Sequence, residues 1–400
     1  MNSLNNDITD MVEQIREISV TIGFIRIEVV KTAIINSNIL WTQLLLYDNE
    51  PLPIKIDILK DIYTPSIKTI YSSPGSGLNT ESDFITPKSR NISVFLVNKG
   101  YIFVGITPRE DAAPSVFNFG LLRNWGLDKH TKDFSKIITL FQGIIDQDYD
   151  ILGHSAGALV ALNYASHTNQ SRFKTVRVID MIGQYPPGSQ EFINSQISLN
   201  AVNNLISRGS FTDTDILGFK YLVQQAQTNP IGDSGFSRPS PYTGNFTNEG
   251  LLFFSLIFTG QLPGTITATT GLPGSWYLKQ GFLQGTYAFG TLPTDDIYGL
   301  AHTNINTVYN TVGSIGSGIY PLAYDRDFFA VWSNSYPLVW ENVRVPVFYI
   351  NTELGIGDAS HTISLLRNSR VTYDIVRDYG HADPVFSDTA ETDFWNILIH

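Results

Sequence analysis

A serine set between two glycines, Gly153-His154-Ser155-Ala156-Gly157, is the group in this sequence best suited to covalent chemistry. The pattern G-x-S-x-G occurs once. An apolar run at 149–152 precedes it and the small-residue run Ala158-Leu159-Val160-Ala161-Leu162 follows. That context puts Ser155 on a sharp strand-to-helix turn. Such a turn imposes strained backbone angles and turns the hydroxyl out to solvent. The flanking positions must be small, and Gly153 and Gly157 are. A helix starting near Ala156 aims free N–H groups and its positive dipole end at the same place. The competing reading is an ordinary βα turn with a capping serine, and the strand and helix on either side favour the nucleophile.

A serine hydroxyl is inert at neutral pH without a base. Of seven histidines, His381 stands in Tyr379-Gly380-His381-Ala382-Asp383, past the strand 371–376 and before a terminal helix from about Ala390. That position brings it to the carboxyl edge of the sheet, beside Ser155. His154 points away from the serine and is taken as a substrate-side residue. His130 and His167 belong to helices or loops of the first half, His302 to the middle and His400 to the end. His361 pairs with Asp358 at helical spacing, as in a cap. The imidazole needs a carboxylate to fix its tautomer. Glu353, nearest the end of a strand at 345–350, is preferred. Asp358 is the alternative, and Asp180, at the end of the preceding strand, is a third candidate. Asp378 and Asp383 read as turn or cap residues. Oxyanion donors are expected from the backbone N–H groups of Ala156 and of Ser76. Gly75 and Gly77, on either side of Ser76, let the main chain approach a substrate, although Pro-Gly-Ser-Gly is also generic turn chemistry.

Around these residues the pattern is that of an α/β protein. Residues 1–18 read as a polar helix or loose arm, and 19–30, 40–47 and 54–59 have β character. Ile54, Ile56 and Ile58 alternate with Lys55 and Asp57, the period of a half-exposed strand. Then come a strand at 67–71, a helix at 89–99, an apolar strand at 101–106, an amphipathic helix at 133–145, a strand at 149–152, a helix from 156 and a strand at 175–181. The alternation implies a parallel sheet covered by helices on both faces. It stops after Tyr185-Pro186-Pro187. From Gly260 to Tyr324 only Lys279, Asp295 and Asp296 are charged. The regular pattern returns at 345. Residues 186–337 therefore read as an insertion into one domain made of 1–185 and 338–400.

The 400-residue chain is 42% hydrophobic, enough for a large core, and only 16% charged, with a net charge of −11. That balance, without basic clusters, argues against nucleic acid and anionic membranes as partners. With no cysteine, disulfides, thiolate metal sites and cysteine nucleophiles are excluded. No His-Glu-x-x-His or phosphate loop occurs, so neither metal nor cofactor is expected. The polar, acidic start lacks a signal-peptide pattern, and no apolar run approaches the ~20 residues of a membrane span. A cytoplasmic location is expected.

With the elbow, the Gly-rich loop, the Ser…acid…His order and the Gly-His near the end, the chain resembles the α/β-hydrolase superfamily over about 50–185 and 338–400. It departs from that pattern at Pro74-Gly75, where His-Gly is usual, and at Thr352-Glu353-Leu354-Gly355, where Gly-x-x-Asp is usual. The resemblance implies a mostly parallel eight-stranded sheet with a large lid inserted after the sixth strand. The lid carries Trp276, Tyr277, Phe282, Tyr287, Phe289 and the run Leu251–258 with Phe254. Trp276 and Phe254 are taken to line a hydrophobic substrate pocket, although a share of such residues must form the lid's own core.

The expected function is hydrolysis of a small hydrophobic carboxylic ester or thioester through an acyl-enzyme. Acyl transfer or cyclisation by the same triad, and non-catalytic binding on a hydrolase scaffold, are the alternatives. Oligomeric state is left open.

Overall fold

A computed structural model describes residues 2–368 and 370–399. Among them, nine strands form one sheet: β1 (Arg26–Ile35), β2 (Ile39–Tyr47), β3 (Ile54–Asp61), β4 (Lys68–Ser73), β5 (Tyr101–Thr107), β6 (Tyr149–His154), β7 (Phe173–Ile179), β8 (Val347–Thr352) and β9 (Val371–Val376). The spatial order is β1-β2-β3-β5-β4-β6-β7-β8-β9. The six strands from β4 to β9 pair in parallel, and β1 to β3 add antiparallel pairs at one edge. Every residue of β6 is buried. A strand covered on both faces has no polar side to alternate with, and its one acid, Asp150, is paired with Lys68 and Arg177.

The mostly parallel sheet is the expected one, with nine strands in place of eight. The extra strand is β1, which folds back on β2 through Asn36 and Ser37, both at positive φ. Residues 19–30 are accordingly not one β segment. The helix Asn2–Thr21 covers the first part, Gly23 turns the chain at φ +85, and the strand begins at Arg26. The chain leaves the sheet after β7, the sixth strand counted from β2.

Helices cover both faces. Phe134, Ile138 and Phe141 of the helix Leu127–Gln142 pack with Leu159 and Leu162 of the helix Ala156–His167 on one side. Phe95 and Leu96 of the helix Ile92–Asn98 pack with Phe394 and Trp395 on the other. The helix at 127 starts six residues earlier than the amphipathic pattern suggests. Its cap comes from far along the chain: the Leu127 N–H donates to Asp327 Oδ2 at 2.8 Å, and a Cβ on Gly126 would collide with that carboxylate. Asn91 caps the helix Ile92–Asn98 by accepting from Val94 N–H, so that helix starts later than expected.

Between β7 and β8 run the helices Gln190–Ser207, Asp215–Thr228, Asn248–Ile257, Ile305–Ser314 and Leu322–Trp332, with short two-stranded ribbons. Among the described residues no helix is long and apolar enough to cross a membrane.

Two buried titrating groups lose their stabilising contribution as pH rises, and a third loses it in acid. Both nitrogens of His130 face acceptors, Gly126 O and Glu110 Oε1, each at 2.8 Å. Burial works against its charge, but Glu110 outweighs burial and raises its pKa. Its stabilising contribution is complete below the unfolded value of about 6.5 and fades as pH climbs through the higher folded value. Burial pushes the Asp57 carboxyl up to about 6, so the folded state retains a proton that the unfolded chain releases from about pH 4, and stability falls as pH rises across that interval. Asp48 goes the other way. Burial opposes its charge, but Arg109 and Lys136 hold it well below the usual range, so its contribution is lost in acid. Melting temperature by calorimetry is expected to peak near about pH 5 and to be lower at pH 9; a monotonic rise to pH 9 would contradict these assignments.

Candidate active site

Ser155 is the residue between β6 and the helix Ala156–His167, with φ +51 and ψ −125. A non-glycine residue keeps such angles only where its surroundings over-determine them. Here they do. A Cβ on Gly153 would overlap the Gly157 and Ala158 backbone, and one on Gly157 would overlap Ser73 and Pro74. The strand, the helix and the end of β4 meet in backbone contact, and the serine is squeezed outward.

His381 follows β9 and is buried at 4% exposure. Its Nε2 lies 2.8 Å from Ser155 Oγ and its Nδ1 2.6 Å from Asp180 Oδ2. The carboxylate can only accept, so Nδ1 carries the proton and Nε2 faces the serine as an acceptor.

The acid beside His381 is thus Asp180, not Glu353 or Asp358. Asp180 is the first residue after β7, at φ +44, and is fully buried. The end of β8 and the loop after it close over it and offer N–H donors: Thr352 at 2.6 Å and Ile356 at 3.1 Å. Gly355 makes this possible, since a Cβ there would strike both Asp180 and the His381 backbone. Glu353 turns outward to accept from the Asp378 N–H. Asp358 accepts from Ser360 and the Tyr373 hydroxyl at the start of the helix Ser360–Leu366. The loop expected to supply the carboxylate supplies the amides that hold it. A strand-terminal aspartate facing the histidine was the available signal, and proximity to β8 outweighed it.

The Gly-rich loop lies against Ser155: a Cβ on Gly75 would stand 3.3 Å from Ser155 Cβ. The Gly75 N–H is committed to Asp83 Oδ2 at 2.9 Å. The N–H groups of Ser76 and Ala156 donate to no acceptor among the described residues. Gly75 and Ser76 line a cavity of ≈ 740 Å³ together with Ser155 and His381. Gly77, at φ +67, lies outside the lining and is backed by Ile216.

Four insertion helices wall this cavity, the helix Leu322–Trp332 through Asp325 and Phe329. Ile216, Phe219 and Leu222 come from Asp215–Thr228, Leu251 and Ser255 from Asn248–Ile257, and Val308 and Val312 from Ile305–Ser314. Each set repeats at three or four positions, one helix face. Phe254 turns away from the cavity and joins Phe246, Phe258, Tyr287 and Phe289. Trp276 donates to Ser198 Oγ at 3.0 Å and packs on Tyr185 and Trp332. Neither lines the cavity; both build the insertion's interior. Tyr277 and Phe282 do line it. Part of the wall is acidic, with Asp213 and Asp325. Burial and Asp215 push Asp213 up to about 7, and burial raises Asp325 well above the usual range.

The other histidines lie outside this group. His302 Nε2 bonds Asp378 O, His130 is paired with Glu110, and His400 is outside the described residues. His154 touches the cavity, but both its ring nitrogens are engaged by protein, Nδ1 by Asp83 and Nε2 by the His381 carbonyl.

Compared with solved structures, the chain is similar to a lipase candidate from Sulfolobus solfataricus, with 94% of this chain on 97% of that one at 16% identity and TM-score 0.63. This is the α/β-hydrolase fold. Looser likenesses of this fold include a bromoperoxidase from Bacillus anthracis (12% identity, 88% of this chain, 95% of that chain, TM-score 0.48) and an epoxide hydrolase from Vigna radiata (14%, 92%, 95%, 0.48). No protein-family model and no curated protein matches the sequence. Within the α/β-hydrolase fold of this chain, the turn at Ser155, Asp180 and His381 all stand past the carboxyl ends of parallel strands.

The two assignments of the acid separate cleanly. Asp180→Asn is expected to lower turnover of an activated ester by roughly 10⁴, whereas Glu353→Gln and Asp358→Asn should stay within about threefold of wild type. Steady-state kinetics on the three variants decides it, and a collapse in Glu353→Gln alone would reinstate Glu353.

Proposed function

We propose that this protein is a serine hydrolase that cleaves a carboxylic ester or thioester with a hydrophobic acyl part. The hydrogen-bonded series Asp180–His381–Ser155, at 2.6 and 2.8 Å, on the wall of a largely apolar cavity carries this reading.

Ser155 Oγ attacks the carbonyl carbon as its proton passes to His381 Nε2. Asp180 keeps Nδ1–H in place and balances the imidazolium that forms. The N–H groups of Ala156 and Ser76 take the oxyanion, at a helix start whose dipole favours negative charge. The tetrahedral adduct collapses, His381 hands its proton to the leaving oxygen or sulfur, and the acyl group stays on Ser155. Water, deprotonated by His381, then releases the acid. The aliphatic and aromatic faces of the insertion helices hold the acyl chain. Transfer to an alcohol or amine, or cyclisation, would use the same groups with a different acceptor, so the products distinguish them.

A fluorophosphonate probe is expected to add once to the wild type by intact mass and not at all to Ser155→Ala. Turnover of a matched ester should fall by about 10⁶ in that variant; a loss below about tenfold would overturn the mechanism. Leu222→Trp, which fills the apolar wall, is expected to move the preferred acyl chain to shorter lengths in a graded ester panel while Ser155 labelling persists.

A further inference from the structure

Asp83 and His154 form a buried pair that the reaction scheme leaves without a role. Asp83 is fully buried and His154 is 1% exposed. His154 Nδ1 lies 2.9 and 3.0 Å from the two Asp83 oxygens, and its Nε2 lies 3.2 Å from the carbonyl oxygen of His381. A carboxylate and a carbonyl can only accept, so both ring nitrogens donate and the ring is an imidazolium. Burial alone would strip that proton, and Asp83 retains it, raising the pKa. Isolated buried charge is costly, and this one is matched by its partner.

The pair joins the three segments on which the proposed chemistry rests. Asp83 Oδ2 also accepts the Gly75 N–H at 2.9 Å, immediately before Ser76. His154 is the residue before Ser155. Its far nitrogen holds the main chain of His381, whose ring centroid is 5.2 Å from its own. Loop, elbow and histidine turn come from residues far apart in the chain.

We propose that Asp83 and His154 are positioning residues, an interior ion pair that fixes the Ser76 N–H and the His381 ring relative to Ser155. The role rests on the serine-hydrolase reading and deepens it. His154 then touches the reacting groups through its neighbours and recognises no substrate. Asp83→Ala frees the Gly75 N–H, so the adjoining oxyanion donor loses its alignment. Asp83→Asn preserves an acceptor for Gly75 and lets a neutral His154 keep its bond to the His381 carbonyl.

The test is steady-state kinetics on the full chain with an activated ester, normalised by the number of sites that covalently take a fluorophosphonate. In Asp83→Ala, kcat per labelled site is expected to fall by about 10²–10³, the scale of one lost oxyanion donor. KM should change by less than about threefold, because the helix faces proposed to hold the acyl chain are untouched. Asp83→Asn should recover at least tenfold of that loss. A role confined to folding stability would lower the number of sites and leave kcat per site alone, and that result overturns the proposal. If Asp83→Ala does not fold, hydrogen exchange of the wild type decides. A pinned Gly75 amide exchanges as slowly as β6, and exchange within seconds overturns the proposal. Failure of the wild type itself to label or turn over would instead count against the serine-hydrolase reading.

Discussion

Ser155 holds φ +51 against a backbone preference of order 1–3 kcal/mol, and the rest of the molecule is arranged so that it cannot relax. The strand before it, the helix after it and the end of β4 are in main-chain contact through Gly153 and Gly157. Relaxing the turn would mean separating that helix from the sheet and exposing Leu159, Leu162 and their neighbours in the core. The hydrophobic effect, roughly proportional to apolar area kept from water, thereby holds a local conformation that local preferences oppose.

The same logic extends outward from the serine. Asp180 is a fully buried carboxylate supplied with two amides and an imidazole donor. Those amides belong to the end of β8 and the loop after it, and that loop is fastened to the insertion: the Lys279 and Gln280 N–H groups donate to Gly355 and Leu354. The histidine turn is fastened to the same segment, with His381 and Ala382 N–H donating to Gly281 and Phe282. The insertion thus has two parts with different duties. Residues 279–284 are built into the frame of the site, while the helices Asp215–Thr228, Asn248–Ile257 and Ile305–Ser314 shape the cavity.

Much of this is legible in the sequence. Ser155 and His381 stand in short segments whose strand and helix context is local, so the residues brought within 2.8 Å of each other could be picked from sequence. The parallel sheet followed from alternating apolar runs. What escaped depends on contacts distant in the chain. Asp180 owes its part to amides 172 and 176 positions away, and the helix at 127 owes its start to Asp327. Phe254 was misplaced because an apolar helix in a charge-poor insertion carries no polar stripe to say which face is inward, and Trp276 because it stands in an irregular turn segment with no periodicity to read. The cavity lining at 216, 219 and 222 has clear helical spacing, but nothing local says what that face covers.

The order in which these parts are synthesised follows from the distance between them. The elbow and the acid lie close together in the chain, whereas the histidine is 226 positions beyond the serine. At a ribosomal pace of about 5–20 residues per second, roughly 10–45 s separate the two. On the proposed mechanism, the nascent polypeptide carries its serine without a base throughout that interval. A translation product cut short anywhere before His381 would then be unable to activate Ser155, however well its sheet has formed.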